Sequence, residues 1–159
     1  MKKLLVATLL AVSLSFGFTA AARELRVTEE EVYCLALNDY YEARGEPIQG
    51  RVAVAYVVLN RVSKTNTTIC ETVTLTNGRH CAFSWACDRY PIREEVSWRE
   101  SLGFATKFLR TYKQIQDPTS GAVHYHEQSI LPYWAKDYEF NVVIGDHVFY
   151  PRQIAKKGN

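Results

Sequence analysis

The sequence lacks the motifs of several common classes of enzyme and binding protein. It has no H-E-x-x-H and no C-x-x-C motif, which argues against the usual zinc-protease and zinc-ribbon sites. It has no G-x-S-x-G motif, so Ser84 does not resemble an esterase nucleophile. Its 19 basic and 17 acidic residues are interspersed, and the basic ones form no stripe. A surface for binding nucleic acid is therefore not predicted.

The first 22 residues have the composition of an export signal. A basic start, Met1–Lys3, precedes the apolar run "LLVATLLAVSLSFGF", and the small residues Ala20–Ala22 follow it. The run is too short and too interrupted by Ser and Gly for a comfortable membrane span, although an uncleaved anchor is the alternative. We predict cleavage before Arg23, no stable membrane insertion afterwards, and one domain over residues 23–159. Removing the leader takes away two lysines and no acid, which leaves a formally neutral chain.

The four cysteines of the chain all follow the leader. An even number of cysteines in an oxidising compartment predicts two disulfides, with three possible pairings. We predict that Cys81 pairs with Cys87 and that Cys34 pairs with Cys70. A zinc site is the alternative, but the spacing of Cys81 and Cys87 is not typical of one.

The pattern of apolar residues predicts helices first and a small sheet last. Thr28 is placed to cap a helix, with Glu31 at the capping-box position, and Gly45 and Pro47 end that helix. A second helix begins near Pro47, and a third covers about residues 94–115. Three short β segments follow, "AVHYH", "FNVVI" and "HVFY", the last two joined by the turn pair Gly-Asp. The predicted class is α+β, with a small antiparallel sheet near the C-terminus.

Glu42 is the strongest candidate for acid chemistry. It follows Leu35 by seven residues, so it lies near the apolar face of the first helix and within its last turn. Partial burial and the negative end of the helix dipole both disfavour a carboxylate, which suits a general acid. The alternative is an exposed Glu42 paired with Arg44 or Arg51.

Three other carboxylates lie near the candidate motifs. Glu46, beyond Gly45, would cap the next helix or orient Arg44. Asp88 and Glu127 lie beside aromatic motifs and could equally be surface charges.

Two aromatic segments are candidates for holding a ligand. "CAFSWACD", residues 81–88, presents Phe83, Ser84 and Trp85 either as a platform for stacking sugars or as a small hydrophobic cluster. "HYHEQSILPYWA", residues 124–135, could hydrogen-bond a polysaccharide or supply zinc ligands. On a strand its two histidines share one face. The zinc ligands would be His124, His126 and His147.

These motifs together resemble a known family. The blocks "CLALNDYYEARGEP", "AVAYVVLNRV", "CAFSWACD", "GAVHYH", "PYWA" and "IGDHVFY" are similar, in the same order, to the cell-wall hydrolases that include the spore-cortex-lytic enzymes of the SleB type. The resemblance extends from about Cys34 to Tyr150, and its most specific part is E-A-R-G-E-P. The Bacillus spore enzymes manage without this cysteine set, and no separate peptidoglycan-binding repeat is visible. A periplasmic enzyme or a phage lysis protein is therefore expected, in preference to a spore-specific role.

The resemblance implies a lysozyme-like domain akin to lytic transglycosylases. Glu42 would be the general acid, and the substrate would be peptidoglycan, cut between N-acetylmuramic acid and N-acetylglucosamine. The same carboxylate would then act as base while the muramic C6 hydroxyl closes a 1,6-anhydro ring. Glu46 is an expected supporting residue. The two aromatic segments and the C-terminal strand would add Phe83, Ser84, Trp85, His124, Tyr125, His126, Tyr133 and Tyr150. Tyr125, Tyr133 or Tyr150 would help to polarise that hydroxyl.

Three other functions remain open at this point. A lysozyme-type hydrolase would need a second carboxylate, for which Glu46 and Asp88 are the candidates. A zinc-dependent amidase would use the three histidines, and a non-catalytic peptidoglycan-binding protein would not need Glu42. We expect a monomer outside the cytoplasm, periplasmic or secreted, without cofactor or metal.

Overall fold

The computed structural model describes residues 27–151, apart from Arg79, Arg89 and Asn141. The predicted leader lies outside the described residues. The helices in the described part are α1 Glu29–Glu42, α2 Ile48–Thr65, α3 Ile69–Thr74, α4 Ser84–Asp88 and α5 Glu95–Thr111, with short 3-10 turns at Tyr112–Gln114 and Ala135–Asp137. The strands are β1 His124–Glu127, β2 Val142–Ile144 and β3 His147–Tyr150. Within residues 27–151, no helix is both long and apolar enough to cross a membrane.

Helix α1 begins at the predicted cap, Thr28, but Glu31 in its first turn does not complete a capping box. Thr28 Oγ1 accepts a hydrogen bond from the Glu31 N–H at 3.1 Å, which confirms the cap. The predicted return bond from Glu31 is wrong, because its carboxylate accepts the Cys70 N–H at 3.2 Å instead. The capping box belongs to α3, between Thr68 and Glu71. Glu31 therefore ties the first turn of α3 to α1.

The helical core forms where α1, α2, α3 and α5 meet. Leu35 from α1, Val58 from α2 and Ile69 from α3 are fully buried together with Ala105 of α5. Leu, Val and Ile side chains each contribute roughly 1.5–3 kcal/mol when fully buried. The core thus fixes the direction of α1, whose last residue is Glu42.

Both predicted disulfides are confirmed. Cys34–Cys70 joins α1 to α3 across 36 residues, next to the bond from Glu31. Cys81–Cys87 closes a short loop that includes most of α4. The long bridge braces the helical core, and the short one shapes a local loop.

The C-terminal sheet is antiparallel, as predicted, with the order β1-β3-β2. Gly145 and Asp146 form the tight β2–β3 turn, and Gly145 has a φ of +60°, a left-handed value that favours glycine. Phe149 of β3 is buried with Ala43, Val54 and Val57 in a second apolar cluster. This cluster places the sheet against α2 and the end of α1.

Candidate active site

A cleft of about 450 Å³ opens where α1 ends beside the sheet. The end of α1 and the residues after it form one wall, and β1 with the β2–β3 turn forms the other. The polar residues that line it include Glu42, Glu46, Tyr125, His126, Glu127 and His147. Glu42, the main candidate from the sequence, therefore lies in a concave site built from three separate parts of the chain.

Glu42 is half-buried and hydrogen-bonded, and it makes no ion pair with the arginines considered for it. The Tyr125 hydroxyl donates to Glu42 Oε2 at 2.8 Å. Arg44 instead pairs with Glu94 at 3.5 Å, and Arg51 pairs with Asp39. The alternative of a surface ion pair at Glu42 is therefore wrong.

The surroundings of Glu42 favour its protonated form. Burial raises the pKa of Glu42 above its ordinary 4.5 and outweighs three opposing effects. The opposing effects on its pKa are the hydrogen bond from Tyr125, the positive charge of His147 whenever that ring is protonated, and the charge of Arg61. A carboxyl group with a raised pKa beside an open cleft can deliver a proton to a leaving group.

Tyr125 is held as a neutral hydrogen-bond donor. Burial and the neighbouring Glu42 charge raise the pKa of Tyr125 well above its ordinary value. The hydroxyl therefore keeps its proton and points it at the Glu42 carboxylate. This bond favours the charged form of Glu42, so Tyr125 limits how far burial raises the Glu42 pKa.

Arg61 is a cation near the site that none of the sequence motifs indicated. It extends from α2, donates through Nε to the Val123 carbonyl at 2.8 Å, and lies over the Phe83 ring at 4.9 Å. Burial lowers the pKa of Arg61, while Tyr125 and Glu42 act against that change. The available signal was its position one residue beyond a long apolar run, after Asn60, where a charged residue needs a specific partner.

Glu46 lies in the cleft, although neither of its two predicted contacts forms. The start of α2 has no side-chain cap, and Arg44 pairs elsewhere. Glu46 instead accepts from the Asp146 N–H and lies 3.2 Å from His147 Nδ1. Its partners are a hundred residues away in sequence, so no local pattern could indicate them.

The disulfide loop places its aromatic rings in the core. Phe83 and Trp85 are buried, and Trp85 stacks on Tyr41 with ring centroids 5.2 Å apart. Ser84 is exposed, and none of the three lines the cleft. The geometry matches the hydrophobic-cluster interpretation. Tyr41 lines both the cleft and a neighbouring hollow of about 410 Å³ that also contacts Trp85.

The histidines of the second aromatic segment share the face of the sheet opposite to Tyr125, and His126 still reaches the cleft lining. His126 Nε2 is 2.9 Å from the Tyr150 hydroxyl, and His124 packs against Tyr138. Burial, followed by the charges of Arg61 and Lys64, lowers the pKa of His124 to about 4. The exposed Tyr133 lies outside the cleft lining.

The three histidines of the zinc alternative do not converge. The register pairs His126 with Val148 and Glu127 with His147, so His147 points to the opposite face from His124 and His126. Among the described residues, no group of three or more potential ligands could hold a metal ion. Asp88 ends α4 and is exposed, outside the cleft lining.

Comparison with known proteins identifies the family. Residues 45–150 match the family model described as Cell Wall Hydrolase. The chain belongs to this family. Membership makes it an enzyme that acts on the peptidoglycan of the cell wall. The matched segment begins just after Glu42, so the match itself does not include that residue.

Two solved structures are similar to this cell-wall hydrolase. The catalytic domain of the Bacillus cereus SleB protein is 27% identical, with a TM-score of 0.53, and the match covers 79% of this chain and 93% of that one. The catalytic domain of the germination-specific lytic transglycosylase SleB from Bacillus anthracis is 26% identical, with a TM-score of 0.58 and coverages of 78% and 96%. Among curated proteins, none matches the chain. The α+β, lysozyme-like fold is the one predicted.

Proposed function

We propose that this cell-wall hydrolase is a lytic transglycosylase that cuts the bond from N-acetylmuramic acid to N-acetylglucosamine. The observation that carries the proposal is the state of Glu42, half-buried in the cleft with a raised pKa and a hydrogen bond from Tyr125. The likeness to a SleB protein described as a lytic transglycosylase supports the same reaction.

The first step uses Glu42 in its protonated form. The carboxyl group gives its proton to the glycosidic oxygen while the bond from that oxygen to the muramic C1 breaks. Positive charge then develops on the sugar as an oxocarbenium-like state. The new Glu42 carboxylate lies beside this charge, and the Tyr125 hydroxyl hydrogen-bonds it.

The second step closes the anhydro ring. The muramic C6 hydroxyl attacks C1, a bond forms from O6 to C1, and the hydroxyl proton leaves. In its simplest form, the Glu42 carboxylate takes that proton and returns to its starting state. No water is consumed, so each cut yields a 1,6-anhydro end.

Lysozyme-type hydrolysis is the second candidate, and it needs a second carboxylate about 5–9.5 Å from the first. Glu46 is the best placed, but its oxygens accept the Asp146 N–H and face His147. Asp88 is exposed and outside the cleft lining. These contacts disfavour Glu46 and Asp88 as the second carboxylate, whereas the exposed Glu127 also lines the cleft. The preference for transglycosylation therefore rests on the likeness to the protein described as a lytic transglycosylase.

The proposed location is the periplasm or the cell exterior. Peptidoglycan lies outside the cytoplasm, and two disulfides fit an oxidising compartment. The leader predicted for residues 1–22 agrees with export.

Digestion of purified peptidoglycan by wild type and Glu42→Gln tests the proposal. The variant keeps the shape of the side chain but cannot donate a proton, so we expect digestion to fall by at least about a hundredfold. Glu95→Gln is the matched control, because Glu95 is an exposed residue at the start of α5. Normal digestion by Glu42→Gln would overturn the assignment. If the wild-type protein binds peptidoglycan but leaves it intact, the non-catalytic alternative is correct.

A further inference from the structure

Glu46 occupies a space that two glycines keep open. Its side chain is only 7% exposed, and both carboxylate oxygens lie within 3.2 Å of the Asp146 nitrogen. A Cβ atom on Gly50 would come within 2.4 Å of Glu46 Oε2, and one on Gly145 within 1.7 Å. Burying a carboxylate is costly unless its oxygens have partners. The backbone of two separate segments is thus shaped around this one group.

The partner of Glu46 across the cleft is His147. The distance from His147 Nδ1 to Glu46 Oε1 is 3.2 Å, within ion-pair range, although the alignment does not make a formal hydrogen bond. His147 is buried, with its ring perpendicular to that of Tyr125 and the two centroids 5.1 Å apart. Because Tyr125 donates to Glu42, the four side chains form a continuous row.

The arrangement leaves one nitrogen of His147 available to a ligand. A carboxylate beside Nδ1 favours a proton on that nitrogen and fixes the direction of the ring. The other nitrogen, Nε2, is then a proton acceptor. Within the described residues it has no protein partner, and His147 lines the cleft that holds Glu42.

The tyrosines expected to assist the attacking hydroxyl have other partners or positions. The Tyr125 hydroxyl donates to Glu42. Tyr150 lies on the opposite face of the sheet, 2.9 Å from His126 Nε2. Tyr133 is 85% exposed and does not line the cleft. His147 thus offers a free acceptor atom where these tyrosines do not, and the exposed Glu127, its neighbour in the sheet, lines the same cleft.

We propose that His147 Nε2, in place of the Glu42 carboxylate of the simplest scheme, is the base for the attacking C6 hydroxyl and that Glu46 positions its ring; this rests on the function proposed above. Glu42 gives its proton to the leaving oxygen as the C1–oxygen bond breaks. The O6–C1 bond then forms, and the O6 proton passes to Nε2. After product release, His147 returns a proton to water and Glu42 takes one, so no proton is gained or lost overall.

Electrostatics favours this division of labour. When His147 takes the proton, its positive charge lies next to Glu46 and close to the newly formed Glu42 carboxylate. Glu42 meanwhile stays negative while the sugar carries positive charge. Glu42 thus supplies the proton of the leaving oxygen, and His147 takes the proton of the attacking hydroxyl.

The test compares His147→Gln, Glu46→Gln and the double variant, with His80→Gln as the control because His80 is exposed. The readout is the initial rate of anhydro-end formation at saturating peptidoglycan. We expect His147→Gln to lower this rate at least about a hundredfold, as for loss of a general base. Glu46→Gln should lower it about tenfold, as for loss of an orienting partner. The half-saturating substrate concentration should change little.

The double variant separates positioning from a structural role. If Glu46 acts through His147, Glu46→Gln should cost nothing further once His147 is Gln. A His147→Gln rate within threefold of wild type, or losses that multiply in the double variant, would overturn the inference. Glu46→Gln keeps an acceptor for the Asp146 N–H, so this variant should fold even if His147→Gln does not. In that case, a Glu46→Gln rate of anhydro-end formation within twofold of wild type would refute the proposal.

Glu42→Gln, measured alongside, distinguishes a failure of the His147 role from a failure of the proposed function. An inactive Glu42→Gln with a fully active His147→Gln would remove only the role of His147. An active Glu42→Gln would remove the proposed function itself.

Discussion

Replacing Tyr125 with Phe tests the electrostatic state of Glu42 directly. The change removes one hydroxyl, which donates to Glu42 Oε2 at 2.8 Å, and leaves the ring in place. Hydrogen bonds to charged groups contribute roughly 1.5–3 kcal/mol, and this one stabilises the carboxylate form. Its loss should therefore raise the pKa of Glu42 further above the ordinary 4.5, because burial is then less opposed.

The sign of the stability effect follows from the same bond. Above the raised pKa that Glu42 has in the folded variant, folding must bury a carboxylate that has lost its donor, so Tyr125→Phe should there lower the free energy of unfolding by roughly 1.5–3 kcal/mol. Near pH 4, Glu42 is already protonated in the folded protein, and the loss should be clearly smaller. The alkaline limb of the activity profile should also move to higher pH, because the acid form persists longer.

Urea unfolding at about pH 4 and pH 8, together with the pH profile of peptidoglycan digestion, measures both effects. Tyr33→Phe is the matched control, since Tyr33 is an exposed residue of α1. Equal losses of stability at the two pH values, with an unchanged activity profile, would refute the electrostatic reasoning.

Three further outcomes are expected. Replacing Cys34 and Cys70 with Ala should lower the free energy of unfolding by about 4 kcal/mol, and replacing Cys81 and Cys87 by about 2 kcal/mol, because the first pair closes the longer loop. Denaturant unfolding measures both losses, and equal losses would contradict this expectation. Gly145→Ala should reduce both stability and digestion, since the added Cβ meets a carboxylate and φ is +60°; a fully active, equally stable variant would be inconsistent with the turn geometry. Treatment with a chelator should leave digestion unchanged, whereas loss of activity restored by zinc would revive the metallohydrolase alternative.

Local features of the fold were predictable because their signals lie within a few residues. The Thr28 cap, the Gly145 turn and the two disulfides all depend on spacing or composition that the chain displays directly. The same holds for Glu42, whose place in the last turn of α1 followed from the apolar periodicity and the glycine beyond it. Its raised pKa had the expected main cause, burial.

Contacts across the cleft were not predictable from such patterns. Glu46 meets the Asp146 N–H a hundred residues away, and Tyr125 reaches Glu42 across 83 residues. These pairs depend on how the sheet packs against α1 and α2, which periodicity does not specify. For the same reason His147 was considered with His124 as a zinc ligand, because strand register decides which face each histidine takes.

The chemical identity of the new sugar end tests the central claim most directly. Purified peptidoglycan digested by the wild-type enzyme should yield fragments lighter by one water than hydrolysis products, as 1,6-anhydro ends require. Mass analysis of the digest, with Glu42→Gln as the inactive reference, makes the measurement. Reducing ends produced by the wild type would contradict the transglycosylase account and favour lysozyme-type hydrolysis.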